Sequence, residues 1–103
     1  MGDTNLVGGI VKILETPKQM NFNSNIQVTK FRVQFPQVRQ TSLVHLTFWG
    51  NLAIDTANYY KVNDYILIEG YISVRDRKQL NNVISKSKKV EITVLKIYPL
   101  LLN

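Results

Sequence analysis

Between positions 43 and 49 the chain alternates strictly. Val44, Leu46 and Phe48 fall on one side of an extended strand, and Leu43, His45, Thr47 and Trp49 on the other. The first set is wholly apolar and reads as core. The second presents the single Trp, the single His and a Thr on the opposite face. A strand of this kind belongs in an antiparallel sheet that buries one face and solvates the other. Gly50-Asn51 stops it. From Leu52 to Tyr60 the spacing turns helical, with Leu52, Ala53, Thr56 and Tyr60 on one side.

The rest of the chain arranges itself around this stretch. Leu6 to Leu14 reads as a first strand, in which Gly8-Gly9 suggests a bulge or a sharp coil. Glu15-Thr16-Pro17 ends it. Residues 21–27 are polar and Asn-rich and read as a loop. Val28 to Phe35 is a second strand, with Phe31, Val33 and Phe35 facing one way and Lys30, Arg32 and Gln34 the other. After the helix, Val62-Asn63-Asp64 is a turn suited to a left-handed residue. Tyr65 to Arg75 is a fourth strand, with Ile66, Ile68, Ile72 and Val74 on its apolar face and a bulge expected at Gly70. Residues 76–88 form a basic hairpin loop. Lys89 to Tyr98 is a fifth strand, closed by Pro99. Five strands with one short helix between the third and fourth predict an all-β OB-fold, a five-stranded Greek-key barrel. The 103 residues suffice for one such domain, read as spanning 1–103, and 45% hydrophobic content suffices for its core.

Charge narrows the function. The net charge is +6 and the isoelectric point about 9.7. Arg75, Arg77, Lys78, Lys86, Lys88 and Lys89 crowd into residues 75–89 against Asp76 alone. This is either a solvated hairpin or a polyanion-binding arm. Nothing in the chain looks catalytic. His45 has no identifiable Cys or carboxylate partner, the seven acids are scattered, and there is no phosphate-binding Gly-rich loop or metal-ligand spacing. There are no cysteines, so disulfides and thiolate metal sites are excluded. No run approaches the length of a membrane span, and Met1 to Asn5 lacks the pattern of a secretory leader.

Binding fits better. OB barrels take oligomers across strands 2 and 3, and single strands need cations beside aromatic platforms. Lys30 and Arg32 come from strand 2, Arg39 from the following turn, His45 and Trp49 from strand 3, and the 75–89 arm from the last hairpin. Trp49 is either a presented ring or one buried against the helix at the strand end. Tyr59, Tyr60 and Tyr65 read as packing residues around the helix.

Over about Asn5 to Leu100 these residues resemble the bacterial-type single-stranded DNA-binding protein (SSB) family. The resemblance rests on Glu15-Thr16-Pro17, on Phe48-Trp49-Gly50-Asn51-Leu52-Ala53, on Tyr59-Tyr60 before a turn, and on Ile66-Leu67-Ile68-Glu69-Gly70. Asn63 stands where the family usually has Gly. Val33-Gln34-Phe35-Pro36 and Ile97-Tyr98-Pro99-Leu100 are similar to the short SSB-like proteins of cyanobacteria and plastid genomes. The resemblance implies a non-enzymatic, sequence-nonspecific protein without cofactors. It would bind single-stranded DNA as a homodimer or homotetramer, in a plastid stroma or a cyanobacterial cytoplasm. It departs from the family in three ways. Of the stacking positions Trp49 keeps a ring, while Leu43 and the basic 75–80 region do not. The loop between strands 2 and 3 is short. The chain ends at Asn103 without an acidic tail. The alternatives are single-stranded RNA binding and an assembly module, similar to primosomal replication protein B or recruited to an organellar complex.

Overall fold

The computed structural model describes residues 5–36, 43–76 and 88–100, with the side chains of Leu43, Arg75, Asp76 and Lys88 excepted. In chain order the elements are β1 (Leu6–Ile13), β2 (Lys18–Asn23), β3 (Ile26–Gln34), β4 (Leu43–Trp49), α1 (Asn51–Tyr59), β5 (Tyr65–Asp76) and β6 (Lys88–Pro99). They form one sheet in the order β1-β5-β6-β4-β3-β2. β1 also pairs with β3 through Lys12↔Gln34 and Ile13↔Val33, which closes the sheet into a barrel. The pairings are antiparallel except β4 with β6, which run parallel.

The alternation read from sequence is what fills the interior. Val11, Ile13, Phe31, Val33, Val44, Leu46, Phe48, Ile66, Ile68, Ile92 and Val94 are all buried. Phe31 and Phe48 lie on adjacent strands with rings 5.3 Å apart and 15° from parallel. Such a stack contributes about 0.5–1.5 kcal/mol beyond its buried area. α1 packs over β3 and β4, burying Ala53 and Thr56. The buried Thr29 hydroxyl donates to the Ala53 carbonyl at 2.8 Å, so the barrel wall is pinned to the helix by a polar contact. Gly50 precedes the helix at φ 66°, a conformation that resists a side chain, and lets β4 run into α1 without a linker. Asn63 holds the left-handed turn expected of it, at φ 75°.

Four expectations need correcting. The polar stretch 21–27 is not a plain loop, because Lys18–Asn23 forms a sixth strand paired with β3. A two-residue turn at Ser24-Asn25 joins the two, with the Asn25 N–H donating to Asn23 Oδ1 at 3.0 Å. Asn is disfavoured in strands in general, but every β2 side chain faces solvent, where that bias costs little. Of the bulge or sharp coil expected at Gly8-Gly9 the bulge is absent, since β1 pairs with β5 in unbroken register from Leu6↔Tyr71 to Lys12↔Tyr65. Val74 is 54% exposed, beyond the stretch of β5 that the β1 side of the sheet reaches among the described residues, which ends where the Ile72 N–H donates to the Asn5 carbonyl. Tyr59, at the end of α1, is 75% exposed rather than packed, whereas Tyr60 and Tyr65 are partly buried.

The bulge expected at Gly70 is present. Glu69 pairs with Lys96 and Gly70 with Val94, so Leu95 is the extra residue on β6. A Cβ on Gly70 would sit 2.2 Å from the Thr93 carbonyl oxygen, in backbone that cannot yield cheaply. Gly70→Ala should therefore destabilise the domain by about 1–3 kcal/mol or more. A lowered urea midpoint with unchanged m-value is the expected reading.

Candidate nucleic-acid interface

A strand that alternates inward and outward must show, on its outer face, whatever its inner face does not bury. Cross-strand register sets those outward side chains in rows. Met20, Val28 and Trp49 make one row across β2, β3 and β4. Lys18, Lys30, Thr47, Thr93 and Tyr71 make the next, reaching from β2 to β5. Arg32, His45, Glu91 and Ser73 make a third. Beyond them, the Lys89 backbone pairs with Leu43 and Arg75.

Trp49 resolves the choice left open by sequence. It is 41% exposed and lies on the outer face, with buried Val28 beneath it. Its ring meets that of Phe22 from β2 at 5.5 Å between centroids and 79° between planes. Met20 and Phe22 are exposed beside it, making an apolar corner on the outer surface. Below this corner, Glu15, Thr16, Lys18, Met20 and Lys30 line a shallow groove. Phe22, Met20 and Lys18 were not among the residues singled out from sequence. The alternation Lys18, Met20, Phe22 before a short polar turn was the available signal.

The cations divide into two kinds. Lys18 and Lys30 are exposed and make no ion pair among the described residues. Arg32 is held: its backbone N–H donates to Glu15 Oε1 at 2.8 Å and its Nε to Glu15 Oε2 at 3.2 Å. Glu15 thus ties the β1–β2 turn to β3. Lys89 Nζ lies 3.3 Å from Glu91 Oε1. These pairs are half in water and add little stability, but each offsets a positive charge on the face. Arg75 and Lys88 sit at the base of the last hairpin, where Asp76 pairs with Lys88 in backbone register. Arg39, Arg77, Lys78 and Lys86 lie outside the described residues.

His45 is half-buried in the middle of the third row, with its Nδ1 buried and unpartnered among the described residues. Burial first, then Lys89, holds its imidazole below the ordinary value of 6.5; Arg32 pushes the same way, while Glu15 and Glu91 pull it up. No group of three His, Cys, Asp or Glu among the described residues could hold a metal ion, and no described helix is long and apolar enough to cross a membrane.

An outer face with exposed rings at one corner and exposed cations alongside can take planar groups and anions together. No family model matches the chain. The ycf41 protein of Trieres chinensis, named as a candidate single-stranded DNA-binding protein, is 39% identical over 103 residues, which cover 96% of this chain and 91% of that protein. Among solved structures, a small single-stranded DNA-binding protein from Streptomyces coelicolor superposes with a TM-score of 0.79 at 15% identity, over 97% of each chain. The SSB domain of a Synechococcus protein gives 0.72 at 20% identity, over 95% of this chain and 98% of that one. The second SSB of Mycobacterium smegmatis gives 0.71 at 19%, over 92% and 84%. These likenesses bear out the OB-fold.

Because the folded-state pKa of His45 lies below its unfolded value, the unfolded chain binds more protons in acid. The contribution of His45 is intact above about pH 6.5 and is lost as pH falls through the folded pKa. Wild type should therefore lose more stability than His45→Gln between about pH 7 and about pH 5, read as the shift of the urea midpoint. Equal shifts would show that the imidazole is not penalised by the fold.

Proposed function

The chain belongs to the single-stranded DNA-binding protein family of its ycf41 relative, and on that premise we propose that it is a non-enzymatic protein that binds single-stranded DNA without sequence preference. It protects or organises exposed strands. The observation that carries this reading is Trp49, exposed on the outer face and diagonal to Lys30, which has no ion pair among the described residues. One ring can stack on any base, and one ammonium can meet any phosphate, so the pair reads no sequence. Lys18 extends the cationic row, and Arg75, Lys88 and Lys89 stand where the last hairpin joins the same sheet. Arg32 and Lys89 reach phosphates more weakly than Lys30, because Glu15 and Glu91 already share their charge.

The working form is a homodimer or homotetramer. Two features support this. From Leu6 to Val11, β1 pairs with β5 on one side and, among the described residues, with nothing on the other. The outward rows beside it, Leu6–Tyr71 and Ile10–Leu67–Tyr98, are apolar, with Leu6, Tyr71 and Tyr98 exposed and Ile10 and Leu67 half-buried. Such an edge and face are poor candidates for permanent contact with water. Light scattering should give two or four times the 11.9 kDa chain mass at micromolar concentration; a monomer would refute the assembly. A plastid stroma is the proposed compartment, with a cyanobacterial cytoplasm as the alternative, on the ground of the ycf41 relationship. Recovery of the protein outside the organelle on fractionation would remove the first.

Titration with oligo-dT tests the reading directly. Trp49 fluorescence should be quenched, and Trp49→Ala should lose about 1–3 kcal/mol of binding while stability changes by no more than about 1 kcal/mol. Oligo-U binding as tight as oligo-dT would turn the reading towards RNA. With three to six cations engaged, the slope of log K against log salt should be roughly −2 to −4, at about −0.7 per phosphate. Replacing Lys18 and Lys30 together by Ala should flatten it by about 1.4 and weaken all sequences alike. No binding at moderate salt would leave the assembly-module alternative in its place.

A further inference from the structure

Resting on the reading of this face as a strand-binding surface, we propose that Phe22 is a second base platform. We propose further that the near-perpendicular Phe22–Trp49 pair selects single strands whose neighbouring bases can unstack. Phe22 is 65% exposed, on a strand whose six side chains are all exposed and whose pairing among the described residues is with β3 alone. A ring so exposed, touching a second exposed ring, is apolar surface left for a partner. Its surroundings say which kind. Met20 flanks it on β2, and Lys18 pairs with Lys30 in the adjoining row. An apolar protein segment laid here would strip water from both lysines without neutralising them. A nucleic-acid strand brings a base for the rings and a phosphate for each lysine.

The angle between the rings sets the specificity. Parallel rings could sandwich one base, but planes 79° apart cannot. A base lying flat on Trp49 is nearly perpendicular to one lying flat on Phe22. Two successive nucleotides that use both platforms must turn their backbone sharply and give up the stack between their bases. That loss is small for thymine runs and large for adenine runs, whose neighbours stack strongly. A duplex cannot make the turn at all. The substrate class is therefore a flexible, unstacked, pyrimidine-rich single strand, with the discrimination arising from stacking strength rather than hydrogen-bond readout.

The test uses the full chain, with Phe22→Ala and Phe22→Tyr, and labelled oligo-dT and oligo-dA followed by anisotropy. Phe22→Ala should bind oligo-dT about 5- to 100-fold more weakly, with oligo-dA changed little, while Phe22→Tyr stays within about twofold of wild type. Melting temperature and oligomeric mass should be unchanged, since the side chain is exposed. Unaltered oligo-dT affinity in Phe22→Ala overturns the proposal, as does an equal loss for the two oligonucleotides. A changed mass with binding retained also overturns it and makes Phe22 a contact between copies. If wild type binds and loses affinity on Lys18 and Lys30 replacement while Phe22→Ala does not, the platform falls and the strand-binding reading stands. If wild type binds neither oligonucleotide, both fall together.

Discussion

Lys12 and Ile13 are where this sheet becomes a barrel. β1 is held by β5 along most of its length, but its last two residues also pair with Gln34 and Val33 of β3. Everything else depends on that double pairing. Closure gives the sheet an inside, and the inside turns period-two alternation into a core. It also bends the outer face, so that β2, β3, β4 and β6 present one continuous surface. The bulge at Leu95 belongs to the same constraint. It lets β6 follow the curve past Gly70, whose missing side chain makes room for the Thr93 carbonyl.

The same alternation couples stability to function. Val44, Leu46 and Phe48 cannot be buried without turning His45, Thr47 and Trp49 outward. β4 therefore serves the core with one face and the candidate interface with the other, and a one-residue slip would exchange them. The helix helps hold this register. Gly50 donates its N–H to the Gln27 carbonyl at 2.9 Å, and the Thr29 hydroxyl is bonded to Ala53. Both contacts lie beside Trp49 in sequence or register, so the ring is mounted on a stiff support rather than on a free loop.

Charge on the outer face is less simple than the net excess of cations suggests. Glu15 and Glu91 sit among the basic residues and pair with Arg32 and Lys89. The cations with no ion pair among the described residues, Lys18 and Lys30, run beside the apolar corner. The face thus has a rigid, partly neutralised centre around His45 and a cationic flank next to its rings. Exposed rings and cations therefore run side by side along one edge of the face.

Much of this was legible in the residues themselves. Strand periods, the helix at Leu52–Tyr60, the turn at Asn63 and the bulge at Gly70 are local properties, decided by pleat, helical spacing and steric tolerance within a few residues. The SSB resemblance follows the same segments. What tertiary structure alone decided is pairing. Lys18–Asn23 is a strand because β3 supplies its hydrogen bonds, although its two Asn weigh against one. Phe22 meets Trp49 because two pairings bring residues 27 positions apart to one corner. Arg32 and Lys89 find their acids in the same way. Val74 and Tyr59 are exposed because no neighbouring element among the described residues covers them, which no local pattern can foretell. Periodicity records which way a side chain points, while long-range closure determines what stands opposite it.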